Sequence, residues 1–286
     1  MIDWKVTMLG TGSPRPDVER SAPSQVIHFG DLPVLIDCGE GTTAQLQRAG
    51  IPPQSITTLF ITHLHSDHIL GYGQFLLGGW GLGRRKLRVI GPKGMKHYHE
   101  TMLSLFKDDI DYRVELGRSP KGVREEVEII EIDEPGEIDL KIDDLPVRVY
   151  TAEMIHNVPT YALRFEGEDH VIVHSGDTAP TENIVELAKD ADILIQDACL
   201  AVNETYKNIT DPELQEIWDN LQKEHCTPQQ AADIAERGGV KKLVLTHFLP
   251  NIDEERAYRE AAAEFKGETI VAKDLQTINT ALKTVN

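Results

Sequence analysis

The sequence predicts an α/β protein with buried sheets, because short apolar runs of strand length alternate with stretches of helix length. The chain has 286 residues, of which 40% are hydrophobic and 27% are charged. This composition is typical of a folded protein and excludes a disordered one. Since no low-complexity tract or linker divides the sequence, we expect one domain over residues 1–286.

The predicted strands are apolar runs that are rich in β-branched residues and bounded by Gly, Pro or Asp. They cover 5–10, 25–29, 34–37, 58–62, 87–91, 147–151, 161–165, 171–175, 192–196, 243–246 and 269–272. Helices are predicted at 41–48, 99–107, 182–189, 212–222, 228–237 and 254–265. The helix at 228–237 has the clearest start, because Thr227, Pro228 and Gln230 match a capping box with proline in the first turn.

Acidic residues outnumber basic ones by 47 to 29, so the net charge is −18. This balance disfavours nucleic acid as a partner of the general surface, because phosphate binding needs Lys and Arg, but it leaves room for a local basic patch. Ten of the acidic residues lie in 121–144. There we expect a half-exposed hairpin around Pro135 and Gly136, with an anion-repelling gate or a partner surface as the alternative.

The cysteines favour a cytoplasmic protein. Cys38, Cys199 and Cys226 are odd in number and share no CxxC spacing, which indicates reduced thiols. The first residues lack the layout of a signal peptide. No apolar run approaches the roughly 18 residues that a membrane span needs, so no membrane association is expected.

The densest chemistry lies in His63–His68, directly after a predicted strand. The imidazoles of His63 and His65 alternate along an extended backbone and can point to one side. Asp67 and His68 follow where the chain turns. One ion cannot comfortably use all four side chains from so short a segment, so the pattern indicates two neighbouring metal ions. An apolar strand followed by Thr-His occurs at His63 and again at His247. This repeat suggests that two strands bring histidines to one edge of the sheet.

The spacing His-x-His-x-Asp-His resembles the signature of the metallo-β-lactamase superfamily of binuclear hydrolases. Further motifs match that family in order along most of the chain, at 9–14, 36–42, 156–159, 174–178 and 245–248. The set is most similar to the branch shared by ribonuclease Z, the tRNA 3′-end endonuclease, and arylsulfatase-like hydrolases. The resemblance implies a four-layer αββα sandwich, the metallo-β-lactamase fold.

The resemblance also implies ligands for two divalent metal ions, with Zn²⁺ expected and Mn²⁺ or Fe as alternatives. It assigns His63, His65 and His156 to the first ion, Asp67, His68 and His247 to the second, and Asp177 to both. Asp67 is expected to be a catalytic residue as well as a ligand. The ligand set leaves the ion pair a residual positive charge, which would support a bridging hydroxide as the nucleophile.

In the same branch, His225 corresponds to a general acid oriented by an acidic residue, here Asp197. An imidazole paired with a carboxylate has a raised pKa and can protonate a leaving oxygen near neutral pH. A capping or surface histidine is the alternative. Asp37 is expected to orient a ligand histidine, with a simple turn carboxylate as the alternative. His174 is expected to pack within its strand.

Substrate contacts are expected from Trp80, Arg84, Arg85 and Ser13. Glycines surround Trp80 and predict a mobile loop whose ring covers a substrate, next to arginines that recognise an anionic group. A packed tryptophan and solvated arginines are an equal alternative. Ser13 lies in a two-glycine turn whose backbone N–H groups can face an anion.

From these features we expect a hydrolase of a small ester, preferably a phosphodiester or an aryl sulfate, because the arginines and the His225–Asp197 pair suit an anionic transition state. A tRNA 3′-end endonuclease is the first alternative. It is disfavoured by the net charge and by the 21 positions between His156 and Asp177, where the resemblance would place a tRNA-gripping arm. A lactonase or other carboxylic ester or thioester hydrolase, and a non-hydrolytic metal-binding or di-iron redox protein, are further alternatives. A small-molecule ester is the expected partner, and a homodimer the expected assembly.

Overall fold

A computed structural model describes residues 4–138, 140 and 147–281. Within these ranges the strands form two seven-stranded sheets. One apolar core lies between the sheets. On the outer face of each sheet, one further core lies between the sheet and its helices. This arrangement confirms the predicted four-layer αββα sandwich.

The described strands and helices have the following bounds. The first sheet contains β1 (Trp4–Gly10), β2 (Ser24–Phe29), β3 (Leu32–Ile36), β4 (Thr58–Phe60), β5 (Leu87–Pro92), β6 (Val127–Ile132) and β14 (Thr277–Asn279). The second sheet contains β7 (Gly136–Ile138), β8 (Arg148–Glu153), β9 (Tyr161–Glu166), β10 (Val171–His174), β11 (Ile193–Asp197), β12 (Lys242–Thr246) and β13 (Glu268–Val271). The helices are α1 (Thr42–Arg48), α2 (Ser66–Ile69), α3 (Tyr72–Gly81), α4 (Met95–Leu105), α5 (Lys107–Glu115), α6 (Glu182–Leu187), α7 (Pro212–Leu221), α8 (Pro228–Arg237) and α9 (Glu254–Glu264), with a 3₁₀ turn at Pro53–Ser55.

Both sheets change from antiparallel to parallel pairing along their width. The first sheet has the order β14-β1-β2-β3-β4-β5-β6, and its strands are parallel from β3 to β6. The second has the order β13-β12-β11-β10-β9-β8-β7, with parallel pairing from β10 to β13. The carboxyl ends of β4, β10 and β12 therefore bring loops from both sheets to one edge of the sandwich, the edge at which open α/β sheets place their sites.

Aromatic side chains hold the two sheets together. Phe60 of β4 meets Phe165 of β9 edge to face, with ring centroids 5.2 Å apart. Phe29 packs against Phe165 at 5.6 Å and against Trp4 at 4.6 Å. Because β4 leads directly into His63, this packing fixes the strand that delivers the metal-binding segment.

Helix α8 begins as the sequence predicts. The Thr227 hydroxyl accepts a hydrogen bond from the Gln230 backbone N–H at 3.2 Å, and the Gln230 side chain accepts one from the Thr227 N–H at 2.9 Å. This capping box fixes the chain just after His225. None of the helices in the described ranges combines the length and apolarity that a membrane crossing requires.

Two local predictions are wrong. The glycine-rich stretch around Trp80 is the end of α3 and not a mobile loop, because Trp80 packs into a buried cluster with Ile110 and Val123, and this burial outweighs the poor helix propensity of glycine. The 121–144 segment is not a hairpin, since β6 pairs parallel with β5 while β7 pairs with β8 in the other sheet. Residues 139 and 141–144 of that segment lie outside the described ranges.

Candidate metal centre

The predicted ligands lie at the ends of strands from both sheets. His63 and His65 follow β4, and Asp67 and His68 lie in the short helix α2. His156 follows β8, Asp177 follows β10 and His247 follows β12, each in the second sheet. His247 has a left-handed backbone conformation, with φ of 61°. The structure thus brings together all seven residues that the resemblance assigns to metal.

Four of these side chains form a first group. The ligand atoms of His63, His65, His156 and Asp177 all lie within 4.8 Å of one another. The His65 Nδ1 atom is 3.2 Å from the His156 Nε2 atom, and the Asp177 Oδ2 atom is 3.6 Å from the His63 Nε2 atom. Imidazole nitrogens and a carboxylate oxygen that converge in this way are a typical donor set for a zinc-like ion.

Asp67, His68 and His247 form a second group with the same spread of 4.8 Å. The Asp67 Oδ2 atom is 3.2 Å from His247 Nε2 and 3.5 Å from His68 Nε2. Asp177 contacts this group too, since its Oδ1 atom is 3.4 Å from His68 Nε2 and its Oδ2 atom is 3.2 Å from His247 Nε2. The Asp177 carboxylate therefore lies between the two groups, where a bridging ligand has to be.

The cluster fits divalent metal ions by a second observation. The Nε2 atoms of His63 and His68 and the Oδ1 atom of Asp67 are buried and have no hydrogen-bond partner among the described residues. Buried polar atoms without a partner are costly, so an inward-facing set of them indicates a ligand that satisfies them together. Burial and the neighbouring His68 hold the pKa of His63 well below its usual range.

Asp37 lies directly behind the second group. It is fully buried, and its Oδ2 atom accepts a hydrogen bond from His68 Nδ1 at 2.7 Å. The same carboxylate accepts bonds from the Thr62 backbone N–H at 2.8 Å and from the Thr62 hydroxyl at 2.9 Å. His68 is buried, which lowers its pKa, but the Asp177, Asp67 and Asp37 carboxylates hold that pKa well above the usual range. Asp37 thus fixes both the ring of His68 and the chain that precedes His63.

The His225–Asp197 pair lies beside the cluster. His225 Nδ1 is 2.7 Å from Asp197 Oδ2, and the His225 ring stacks on His247 with centroids 5.3 Å apart. Asp197 is held in turn by the backbone N–H groups of Thr178, at 3.1 Å, and Cys199, at 2.8 Å. Burial lowers the pKa of His225, but the nearby Cys199 and Asp197 raise it to about 10. The ring is therefore poised to carry a proton at the edge of the metal centre.

The sequence analysis missed some residues that contact the ligands. The Glu224 carbonyl oxygen is 3.3 Å from His156 Nδ1, and its carboxylate accepts a hydrogen bond from the Asn157 amide at 2.8 Å. The Cys199 sulfur lies with nitrogen atoms of His225 and His247 in a group within 4.8 Å. Only the position of Glu224, directly before His225, signals its role in the sequence.

The residues expected to bind substrate have other roles in the structure. Trp80 is 1% exposed and donates a hydrogen bond to the Ser119 carbonyl, so it cannot cover a substrate. Arg84 is 2% exposed and bonds the carbonyl oxygens of Phe75 and Leu76 within α3. Arg85 bonds the Trp80 carbonyl and so lies beside the same helix. These interactions contradict the expected anion recognition by Arg84 and a covering ring at Trp80, and give both residues a structural role.

Ser13 and His174 lie close to the site. Ser13 is buried, and the Thr11 carbonyl just before it accepts a hydrogen bond from the backbone N–H of Phe248, the neighbour of His247. His174 bonds the Gln25 side chain at 2.9 Å and accepts from the Gly176 N–H at 3.0 Å. His174 therefore packs within the structure as expected and supports the turn that carries Asp177.

Comparison with known proteins agrees with this fold and cluster. A family model described as a beta-lactamase superfamily domain matches residues 33–248. The chain therefore belongs to the metallo-β-lactamase superfamily and is a metal-dependent hydrolase. The fold also resembles that of the metallo-β-lactamase fold protein YhfI from Bacillus subtilis, with a TM-score of 0.77 at 20% identity over 98% of this chain and 100% of that one.

Curated relatives place the chain in the ribonuclease Z branch of this superfamily. It is 34% identical to a ribonuclease Z from Mycobacterium sp. (strain KMS), over 96% of this chain and 95% of the relative. A ribonuclease Z from Mycobacterium bovis (strain BCG / Pasteur 1173P2) is 32% identical over 96% of this chain and 97% of its own. The crystal structure of the short form of human tRNase Z shares the fold, with a TM-score of 0.70 at 24% identity over 97% and 100% of the chains.

These relatives overturn two expectations. The expected main substrate, a small phosphodiester or aryl sulfate, is wrong, and so is the expectation that nucleic acid is an unlikely partner. The missing arm misled the prediction, because the alignment covers nearly all of both chains and so leaves no long segment that only the ribonuclease has. The net charge misled it too, since the charge of a whole surface does not describe the rim of a site.

Proposed function

We propose that the protein is an endonuclease of the ribonuclease Z type that hydrolyses a phosphodiester bond at the 3′ side of precursor tRNA. The observation that carries this proposal is the Asp177 carboxylate between two complete ligand groups, with the His225–Asp197 pair beside it. Two adjacent metal positions with a separate proton donor suit phosphodiester hydrolysis. The near end-to-end similarity to enzymes named ribonuclease Z supports RNA as the substrate.

We assign one divalent ion to the group of His63, His65, His156 and Asp177, and a second to the group of Asp67, His68, His247 and Asp177. When bound, such ions supply Lewis-acid activation of water and of the phosphoryl oxygens. Zinc is the proposed metal, because imidazole-rich sets with few carboxylates are typical of zinc sites. Metal analysis of the purified protein tests this assignment, and we expect close to two zinc ions per chain.

His225 is the proposed general acid. Its Nδ1 atom is bonded to Asp197, so its Nε2 atom is the one left to donate a proton to the leaving oxygen. Asp197 holds the ring orientation and stabilises the protonated imidazole, while two backbone N–H groups keep the carboxylate fixed. Asp37 is proposed to orient His68 in the same way.

The test uses a precursor tRNA with a labelled 3′ trailer. We expect the parent protein to release the trailer by a single cut, and His225→Ala to lower the rate by about 10²–10⁴-fold, the range of general acid–base catalysis. His28→Gln changes a histidine of β2 outside the cluster and serves as the matched control. An intact precursor at high concentrations of metal-loaded parent would refute the proposed function.

The predictions of a cytoplasmic location, a homodimer and one domain over residues 1–286 stay predictions. The proposed activity is compatible with each of them and depends on none. Gel filtration with light scattering measures the assembly directly.

A further inference from the structure

Arg15 lies in the loop that follows β1 and is held against the ring of Tyr206. Its Nη2 atom donates a hydrogen bond to the Tyr206 hydroxyl. Its guanidinium carbon lies over the same ring, 5.0 Å from the centroid. An arginine stacked and bonded in this way has lost most of its side-chain freedom before any ligand arrives.

Tyr206 is itself a fixed support. It is 8% exposed, and its ring stacks on Trp218 of α7 with centroids 4.9 Å apart and planes 25° from parallel. Its backbone N–H donates to the Asn203 side chain at 3.2 Å. Tyr206 also belongs to a small apolar cluster with Cys199 and Leu249. The Arg15 guanidinium therefore rests on a rigid surface.

The charge of Arg15 is not neutralised by the protein. Among the described residues, no carboxylate lies within ion-pair distance of it, although the chain carries a net charge of −18. Arg20, five positions later, shows the contrast: its guanidinium bonds Glu254, the Thr11 hydroxyl and the Ala272 carbonyl. The Arg20 guanidinium is thus bonded within the protein, whereas Arg15 keeps most of its five N–H donors for another partner.

Both sides of the Arg15–Tyr206 contact are attached to the metal centre. The Arg15 loop is tied at Thr11, whose carbonyl accepts from the Phe248 N–H at 2.9 Å, one residue after the ligand His247. The Tyr206 side is tied through Cys199, whose sulfur lies within 4.8 Å of nitrogen atoms of His225 and His247. Both segments that hold the guanidinium are therefore connected to residues at the edge of the metal centre.

We propose that Arg15 binds a backbone phosphate of the RNA substrate beside the metal centre, and that Tyr206 positions its guanidinium for this contact. The inference rests on the proposed function and adds a substrate contact to it. A planar guanidinium with free N–H donors matches the oxygen atoms of a phosphate in pairs. A fixed cation of this kind supplies local positive charge for a polyanion, although the chain as a whole is acidic.

The test compares cleavage of precursor tRNA by the parent, Arg15→Ala, Arg15→Lys and Tyr206→Phe at several salt concentrations. We expect Arg15→Ala to raise KM about tenfold, as the loss of a charged hydrogen bond does, with kcat changed less than about twofold. The slope of log KM against log salt should fall by about 1, the value for one lost phosphate contact. The KM of Arg15→Lys should lie between those of the parent and Arg15→Ala, because lysine keeps the charge but lacks the paired N–H donors of the guanidinium. Tyr206→Phe should raise KM about threefold.

The matched control is Arg259→Ala, which removes one exposed arginine from the outer face of α9 and changes the net charge equally. If the parent cleaves the RNA and Arg15→Ala has the same KM and the same salt slope as Arg259→Ala, the role of Arg15 is refuted and the proposed function stands. Failure of the parent to cleave any RNA would overturn both. Thermal unfolding of each variant separates loss of folding from loss of binding, and a folded Tyr206→Phe keeps the test decisive if Arg15→Ala unfolds.

Discussion

Substitution of Asp37 by asparagine should weaken metal binding without changing any ligand. The carboxylate accepts three hydrogen bonds, from His68 and from the backbone and hydroxyl of Thr62. Asparagine keeps the side-chain shape and tolerates the left-handed backbone of Asp37, where φ is 56°. The variant therefore removes the negative charge and one acceptor, and leaves the backbone unstrained.

The size of the effect follows from these contacts. The His68 bond, at 2.7 Å, has a buried carboxylate as its acceptor and fixes which ring nitrogen faces the second group. Loss of such an orienting partner typically lowers metal affinity by about 10–100-fold. This corresponds to about 1.4–2.8 kcal/mol, since each tenfold is about 1.4 kcal/mol. We expect the larger loss of affinity at the second group, which contains His68, and a smaller loss at the first, because Asp37 also holds Thr62 directly before His63.

The assay is a competition between the protein and a chromophoric zinc chelator, read as two binding steps. Asp192→Asn is the matched control, because Asp192 is also buried and accepts from the Val171 N–H at 2.8 Å and from Lys241 at 2.6 Å, at the start of β11 rather than at the ligand edge. Both variants should lose stability, but only Asp37→Asn should lose affinity. Equal zinc affinity of Asp37→Asn and the parent would refute the reasoning.

Three further predictions concern the bridge, the buried tryptophan and a histidine of β2. Asp177→Ala should abolish turnover and bind fewer than two metal ions, because its carboxylate contacts both groups; rate and metal content measure this. Trp80→Ala should lower the free energy of unfolding by about 3–5 kcal/mol in a urea titration and leave KM for RNA unchanged, whereas a raised KM in folded protein would restore a substrate role. Burial and Lys5 lower the pKa of His28 from 6.5 to about 4. As the pH falls, the unfolded chain therefore takes up a proton at His28 before the folded chain does, and the stability falls between pH 6.5 and pH 4. His28→Gln should flatten this part of the stability profile, and an unchanged profile would exclude His28 as its source.

The ligands between His63 and His68 were predictable because their spacing is local, whereas His156, Asp177 and the ligand role of His247 were implied by the family resemblance. His63 and His65 alternate along one extended segment, and the Thr-His pair that follows β4 recurs at the end of β12, so even the meeting of two sheets at one edge had a signal. The capping box before α8 is equally local. These features depend on a few neighbouring residues, which the sequence states directly.

Other parts depend on contacts between distant segments. The burial of Trp80 needs α5, and the glycines around it gave no sign of a helix. The alternating pattern of 121–144 predicted two strands, but not that β6 and β7 belong to different sheets. Arg15 looked like any loop arginine until the fold placed Tyr206, almost two hundred positions away, beneath it. Long-range pairing of this kind has no local signature.

The origin of the ligands has a consequence for how the molecule holds together. Each metal-binding group takes its side chains from both sheets: His63 and His65, or Asp67 and His68, come from the first, and Asp177 with His156 or His247 comes from the second. An ion bound in either group would therefore link the two sheets, and its binding free energy would add to the free energy of folding. The distances among the ligands therefore depend on how the two sheets pack. A substitution of Phe60 or Phe165 in the core between the sheets is expected to change catalysis as well as stability.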